Sequence, residues 1–490
     1  MTKQQYFIAA LCILFMAGLQ FAGFKMKEKT GKNNPLWYDD DEEDDKGKGS
    51  AKAKTAEKVP DEVEDSELDF EQQKRLAAAW TETKIREEVR IAVIERPQRF
   101  GRRIQILKSL GWRVDAPVLE ILNDSKLSTK LTTPVKSNFY GDVTPLGVAI
   151  DLMEQSTEKL VDPLLPYAKH ASVEVRGGVA EVLAQHPSPK TLPLLKPALT
   201  DGEAYVQQAV TTGLSKAKRV DAASQTELYP IVQRQVNDGK NRTAASALLV
   251  LDEKRAIEFF ESEPFIRVES PGLSHALHAL VERKKNLPRE KLLKLIQVQK
   301  SSVLDNGLGW QMNGSALLLG RQQHPDDAKL FESLIDQSTT AEHVSDGYLA
   351  YHGMNDVSDR VYDAYEKKKW EGLTELQQNF YAVYELDAEV NNGGLHQYFS
   401  NSSGEHAREA LRGLYAIGMP ERAKRLKKEF DRFGVNGPSK DPTIFVGQLD
   451  KLSKTSEDPF DAYDTAYYSD KSSIAAYLAK YAVKNKESFK

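Results

Sequence analysis

The chain of 490 residues contains a single cysteine, Cys12, and it lies inside an apolar N-terminal stretch. The remainder has no thiol, which excludes disulfides, zinc–thiolate centres and cysteine nucleophiles there. None of the nine histidines belongs to an H-E-x-x-H pair that would bring two imidazoles to one helical face for metal binding. There is also no G-x-S-x-G elbow, P-loop or dinucleotide fingerprint. Strand-like alternation of apolar and polar residues is scarce. A formal net charge of −5 is small for this length, so no molecule-wide field draws in nucleic acid. These absences lead to the expectation of a non-catalytic protein with no cofactor and no metal site.

What is present is enough apolar residue to build two or three folded units: 40% of the chain is hydrophobic and 28% charged. The run from Tyr6 to Phe24, YFIAALCILFMAGLQFAGF, carries no charge and one polar amide, Gln20. As a helix it would measure about 28 Å, the thickness of a hydrocarbon core. It reads as an uncleaved anchor. The competing reading is a signal peptide, but the run is longer than an ordinary apolar h-region and no small-x-small site precedes the lysines. Lys3 precedes the span, and Lys25, Lys27, Lys29 and Lys32 follow it, so the positive-inside rule places the soluble part in the cytoplasm. Residues 26–69 are rich in Lys, Gly, Asp and Glu, with acidic runs over residues 39–45 and 61–69. Self-repulsion and the lack of apolar residues predict an extended tether, with an acidic docking segment as the alternative.

From Phe70 the apolar spacing turns helical, as in Leu76, Ala77, Trp80, Ile85, Val89, Ile91 and Ile94. Two stretches then align, DPLLPYAKHASVEVRGGVAEVLA over residues 162–184 and LPLLKPALTDGEAYVQQAVTTGL over residues 192–214. Pro163, Leu164, Leu165 and Ala168 match Pro193, Leu194, Leu195 and Ala198, while Val175 and Val179 match Val206 and Val210. An offset of about thirty residues marks stacked helix pairs, each too small to bury its own apolar face. Val173-Glu174-Val175-Arg176 resembles the second-helix start of HEAT repeats. Weaker units follow over residues 228–251 and 315–335, predicting an irregular α-solenoid over about residues 70–354, with an ordered loop or insertion around residues 126–145. The basic set Arg86, Arg90, Arg96, Arg99, Arg102, Arg103 and Lys108 reads as a solvated helix face; anionic lipid, nucleic acid or the acidic tether is the alternative partner.

Near Leu373 the sequence changes character, to LTELQQNFYAVYELDAEVNNGGLHQYFSNSSGEHAREALRGLYAIG. Phe380, Val383, Tyr384 and Leu386 keep helical spacing until Asn391, Asn392, Gly393 and Gly394 interrupt it. Glu389, Asn391, Asn392, Gly393, Gly394, Gln397, Tyr398, Phe399, Asn401, Ser402, Ser403 and Gly404 resemble the core of the bacterial DNA-mimic-protein domain family, formerly a domain of unknown function. The resemblance covers about residues 373–481 and implies a shared helical fold. Mimicry needs a dense carboxylate array, whereas that stretch holds 16 acidic and 13 basic residues, a difference of only −3.

Read from the residues alone, Gly393 and Gly394 permit positive φ and close helix approach, and Ser402, Ser403 and Gly404 can start a helix over residues 405–417. Tyr398 and Phe399 would pack beneath that helix. Asn391, Asn392, Gln397 and Asn401 would close a polar network or line a pocket. A hydrolytic set of His396 with Asp387, Glu389, Ser402 and Ser403 is the enzymatic alternative, alongside a nucleic-acid-related regulatory role. The sequence therefore predicts an all-α chain with four parts: a single transmembrane helix (1–25), a tether (26–69), a HEAT-like solenoid (70–360) and a separate C-terminal helical domain (361–490). The expected role is a membrane scaffold for a protein partner, with nucleic acid not expected; the candidate binding residues are Glu389, Asn391, Asn392, Gly393, Gly394, Gln397, Tyr398, Asn401, Ser402 and Gly404.

Overall fold

The computed structural model describes residues 70–97, 101–136, 143–153, 158–301, 306–439, 441–454 and 458–489. The expected span over residues 6–24 and the tether lie outside these residues, as does Arg99. Among the described residues no helix is long and apolar enough to cross a membrane. The named elements are all helical, and the single extended pairing among the described residues is an isolated bridge between Val135 and Val143. That bridge pins the excursion expected around residues 126–145, which also contains a short helix, Ser128–Thr132.

The chain divides into two compact units, one ending at Arg283 and the other beginning at Lys284. The first opens with α1 (Phe70–Ala78), α2 (Glu82–Arg90), α3 (Arg102–Ser109), α4 (Asp115–Asn123) and α5 (Pro145–Leu152). Here the basic set is largely spoken for. Arg86 pairs with Glu120 at 2.7 Å, Arg90 with Glu95 at 3.4 Å, and buried Arg103 with buried Glu88 at 2.9 Å.

The stacked pairs follow: α6 (Val173–Ala184), α7 (Leu192–Ala198), α8 (Ala204–Lys216), α9 (Ala222–Asp238), α10 (Ala244–Leu251), α11 (Glu253–Glu261) and α12 (Leu273–Glu282). Second helices α6, α8, α10 and α12 lie side by side, and the aligned Val175, Val179, Val206 and Val210 are all buried. Ser172 caps α6 by accepting from the Val175 amide at 3.4 Å. Arg176 reaches Asp201 in the turn between α7 and α8 of the next pair, at 3.1 and 3.2 Å. Gly213 sets the spacing of α6 and α8. A Cβ there would come within 2.1 Å of the Glu181 carbonyl oxygen and 2.7 Å of Ala184 Cβ, so only glycine lets the two helices approach this closely.

The second unit starts with two more pairs, α13 (Arg289–Gln299) with α14 (Asn306–Gly320), and α15 (Ala328–Ile335) with α16 (Ala341–Tyr351). The same devices recur. Arg289 grips buried Asp327 at 2.6 and 3.1 Å, and a Cβ on Gly320 would stand 2.1 Å from the Gly347 carbonyl oxygen. Then come α17 (Val357–Lys368), α18 (Glu375–Ser400), α19 (Ala407–Ala416), α20 (Pro420–Arg432), α21 (Pro442–Ser453), α22 (Asp461–Ser469) and α23 (Ile474–Lys484). Helix α16 packs on α14 and also on α23. Lys480 pairs with Asp336, and Lys486 Nζ donates to the His352 carbonyl at 2.6 Å. Residues 360 and 361, the expected boundary, fall inside α17.

Candidate functional site

The candidate residues gather at a break in α18. This helix starts on a capping box: Thr374 Oγ1 accepts from the Gln377 amide at 3.3 Å, and Gln377 Oε1 accepts from the Thr374 amide at 3.0 Å. It buries Phe380, Val383, Leu386 and Val390 along one face. At Gly393 (φ −157°, ψ 23°) and Gly394 (φ +81°, ψ 178°) the backbone leaves the helix.

Only Gly394 takes the positive φ expected of both glycines. Gly393 serves a different purpose, since a Cβ there would lie 1.9 Å from Gln397 Oε1. The break frees the Leu395 amide of its helical acceptor, and Asp464 Oδ1 on α22 accepts from it at 2.9 Å. Asp464 Oδ2 sits where a Gly394 side chain would begin, 2.3 Å from an added Cβ.

The four amide side chains do not form one network. Gln397 Nε2 and Asn401 Nδ2 both donate to Glu389 Oε2, each at 2.8 Å, so a single carboxylate straps the two sides of the break together. Asn391 instead donates to its own helix, to the Asp387 carbonyl at 2.8 Å and Asp387 Oδ1 at 3.1 Å. Asn392 is exposed. The aromatic pair packs as expected: Tyr398 and Phe399 are 0% and 1% exposed, and Phe399 meets Phe433 and Phe460 at ring-centroid distances of 4.8 and 5.3 Å. The Tyr398 hydroxyl is buried with no hydrogen-bond partner. Ser402 and Gly404 lie in a 3-10 turn, Ser402–His406, that leads into α19, which begins at Ala407 rather than residue 405. Ser403 Oγ donates to the Tyr398 carbonyl at 3.2 Å.

The hydrolytic set is not assembled. His396 Nε2 lies 3.2 Å from Ser453 Oγ, Asp387 accepts from the Tyr467 hydroxyl, and Glu389 is taken by the two amides. Behind the break is a polar interior that the sequence did not announce. Burial pushes the Asp387 and Asp464 carboxyls up to about 6. Arg422 lies over the Tyr467 ring at 4.4 Å and pairs with Asp470 at 3.4 Å. Burial works against the Asp470 charge, but the Ser472 hydroxyl and amide, with Arg422 and Arg425, outweigh it and hold the carboxyl at about 2. On another side of α18, Trp370 and His406 stack at 3.8 Å, and His406 Nδ1 meets Glu385 Oε2 at 3.1 Å.

Residues 371–485, which contain this arrangement apart from Trp370, match the family model of the DMP19-like protein. The chain carries a DMP19-like domain here. A second family model, HEAT repeats, matches residues 161–252, the stretch from the first aligned pair to the end of α10. No curated protein and no solved structure matches the chain. The kinked helix, the Glu389 strap and the Asp464 cap are thus features of the DMP19-like domain. The stacked second helices are features of the HEAT repeats, and together the two mark a helical protein-interaction module. Asp464, Tyr467 and Arg422 escaped the sequence reading because they lie well outside the NNGG motif. The doubled tyrosine Tyr467-Tyr468 was the one local signal.

Proposed function

We propose that the chain is a membrane-anchored, non-catalytic scaffold that holds protein partners on its stacked helices and its DMP19-like domain. The observation that carries this reading is the row of second helices in the first unit. They bury their valines and leucines against one another and leave Glu174, Tyr205 and Gln208 outward. Tyr205 is 47% exposed while its ring covers Gly177, so a large amphipathic side chain stands on a rigid support, as interface anchors do. The anchoring rests on the uncharged run over residues 6–24. Dispersal of His396, Asp387, Glu389 and Ser403 among separate partners supports the non-catalytic half.

The test is in-cell crosslinking of the full chain. Tyr205→Asp is expected to abolish capture of the principal crosslinked protein, while Lys254→Glu, on first-layer helix α11, leaves it intact. Equal loss in both variants, or in neither, overturns the assignment of this face. Deleting residues 6–24 is expected to release the chain from alkali-washed membranes, and its retention there defeats the anchor.

A further inference from the structure

The seam between α18 and α22 places two carboxylates at the break of one helix. Asp464 caps the restarted segment through the Leu395 amide at 2.9 Å. Nearly two turns before the break Asp387 accepts from the Tyr467 hydroxyl, and one turn before it the Val390 carbonyl accepts from the Tyr468 hydroxyl. These three hydrogen bonds join residues 387–395 to residues 464–468, and Phe399 and His396 meet Phe460 at the head of α22. The flanking charges are unequal. Asp387 faces Arg422 of α20, which favours its charge, and Glu342 of α16, which opposes it; Tyr463 and Tyr467 face it from α22. Asp458, Asp461 and Glu429, all acidic, act against the charge on Asp464; Tyr463 and Tyr468 adjoin it on α22, and Arg425 of α20 reaches the Ala466 carbonyl on that helix at 3.4 Å. His396, on the restarted segment, turns to Ser453.

We propose that this seam is a proton-operated latch: protonation of Asp387 and Asp464 tightens the hold of α22 on the broken helix, and their ionisation loosens it. The physical cause is the partial burial of two negative charges, with acidic Asp458, Asp461 and Glu429 acting further against the charge on Asp464. A protonated carboxyl keeps a carbonyl oxygen to accept from Leu395 or Tyr467; each bond is weaker than to a carboxylate, but relief of the desolvated charge outweighs that loss. Burial raises both carboxyls from 3.8 to about 6. A carboxyl raised on folding binds more protons in the folded state between those two values. The seam therefore gains stability as pH falls from 7 towards 4 and loses it as pH rises through 6. The segment that moves carries Gln397 and Asn401, so loosening changes how these two amides meet Glu389. The latch stands on the seam alone and does not depend on the scaffold reading.

Hydrogen exchange of the full chain tests it, with rates corrected for the intrinsic effect of pH on amide exchange. Protection of peptides covering residues 390–401 is expected to rise by about tenfold or more between pH 7 and pH 5, since each group gains about tenfold per unit below its pKa. Peptides from α6 and α8 are expected to stay level. In the Asp387→Asn, Asp464→Asn double variant, protection of residues 390–401 is expected to be high and independent of pH. Wild-type protection that stays flat or falls on acidification overturns the latch, and that arm needs no substitution. A double variant that keeps the wild-type pH response overturns it as well.

Discussion

Side-chain ties between neighbouring helix pairs in the first unit are short in sequence. Arg176 to Asp201 spans 25 residues, Thr211 to Asn241 spans 30, and Gln235 to the Leu199 carbonyl spans 36. In the DMP19-like domain the corresponding ties are long: 69 residues from Leu395 to Asp464, 80 from Asp387 to Tyr467, and 102 from Asn379 to Tyr481. One tie reaches further, from Arg283 at the end of α12 to the Ser215 carbonyl of α8, 68 residues away, but a stack whose members touch mainly their neighbours behaves nearly as a sum of local terms. A domain closed by distant contacts forms few of them before most of the chain is in place. Damage should therefore stay local in the stack and spread in the DMP19-like domain.

The largest effect is expected for Phe399→Ala, which empties the centre of a ring cluster and costs about 3–5 kcal/mol. Hydrogen exchange should show protection lost throughout α18 to α23, while α6 and α8 hold theirs. Loss confined to α18 would defeat the contrast. Next comes Gly213→Ala, which drives a methyl group into the Glu181 carbonyl and costs about 1–3 kcal/mol. Exchange should quicken in α6, α8 and α10 only, and equal quickening in α12 would show that the stack is more cooperative than its contacts suggest. The smallest is Asp221→Ala. Asp221 Oδ1 accepts from the Ala223 and Ser224 amides at 3.0 Å each, so losing this cap costs about 1 kcal/mol. A urea melt should show it as a lower midpoint with an unchanged slope.

The same difference of range decides what the sequence could reveal. The helix pairs repeat within about thirty residues, so Val175, Val179, Val206 and Val210 announced a shared buried stripe, and the family match to HEAT repeats agrees. In the DMP19-like domain the NNGG break and the Tyr398-Phe399 pair were legible, because glycine conformation and aromatic burial are local properties. Glu389 as the common acceptor of Gln397 and Asn401 was only half visible, since its partners lie 8 and 12 residues away across a kink. Asp464 could not be seen at all. Its role is fixed by the freed Leu395 amide, and no spacing rule links positions so far apart. In the basic set of α2 and α3, Arg86, Arg90, Arg96 and Arg102 are exposed, as a solvated face requires, with Arg86 and Arg90 paired to Glu120 and Glu95; Arg103 departs from that reading, buried against Glu88, because its partner lies 15 residues away on another helix.

Helix α23 covers α16, the last helix of the stacked pairs. Helix α23 is thus the lid of these pairs, separated in sequence from the helix it covers by the kinked helix and its companions. Duplicating or deleting a helix pair upstream of α16 changes the length of the pile without disturbing this closure. A pair inserted after α16 separates the lid from its seat. Variation in repeat number among proteins of this architecture should therefore accumulate on the N-terminal side of α16.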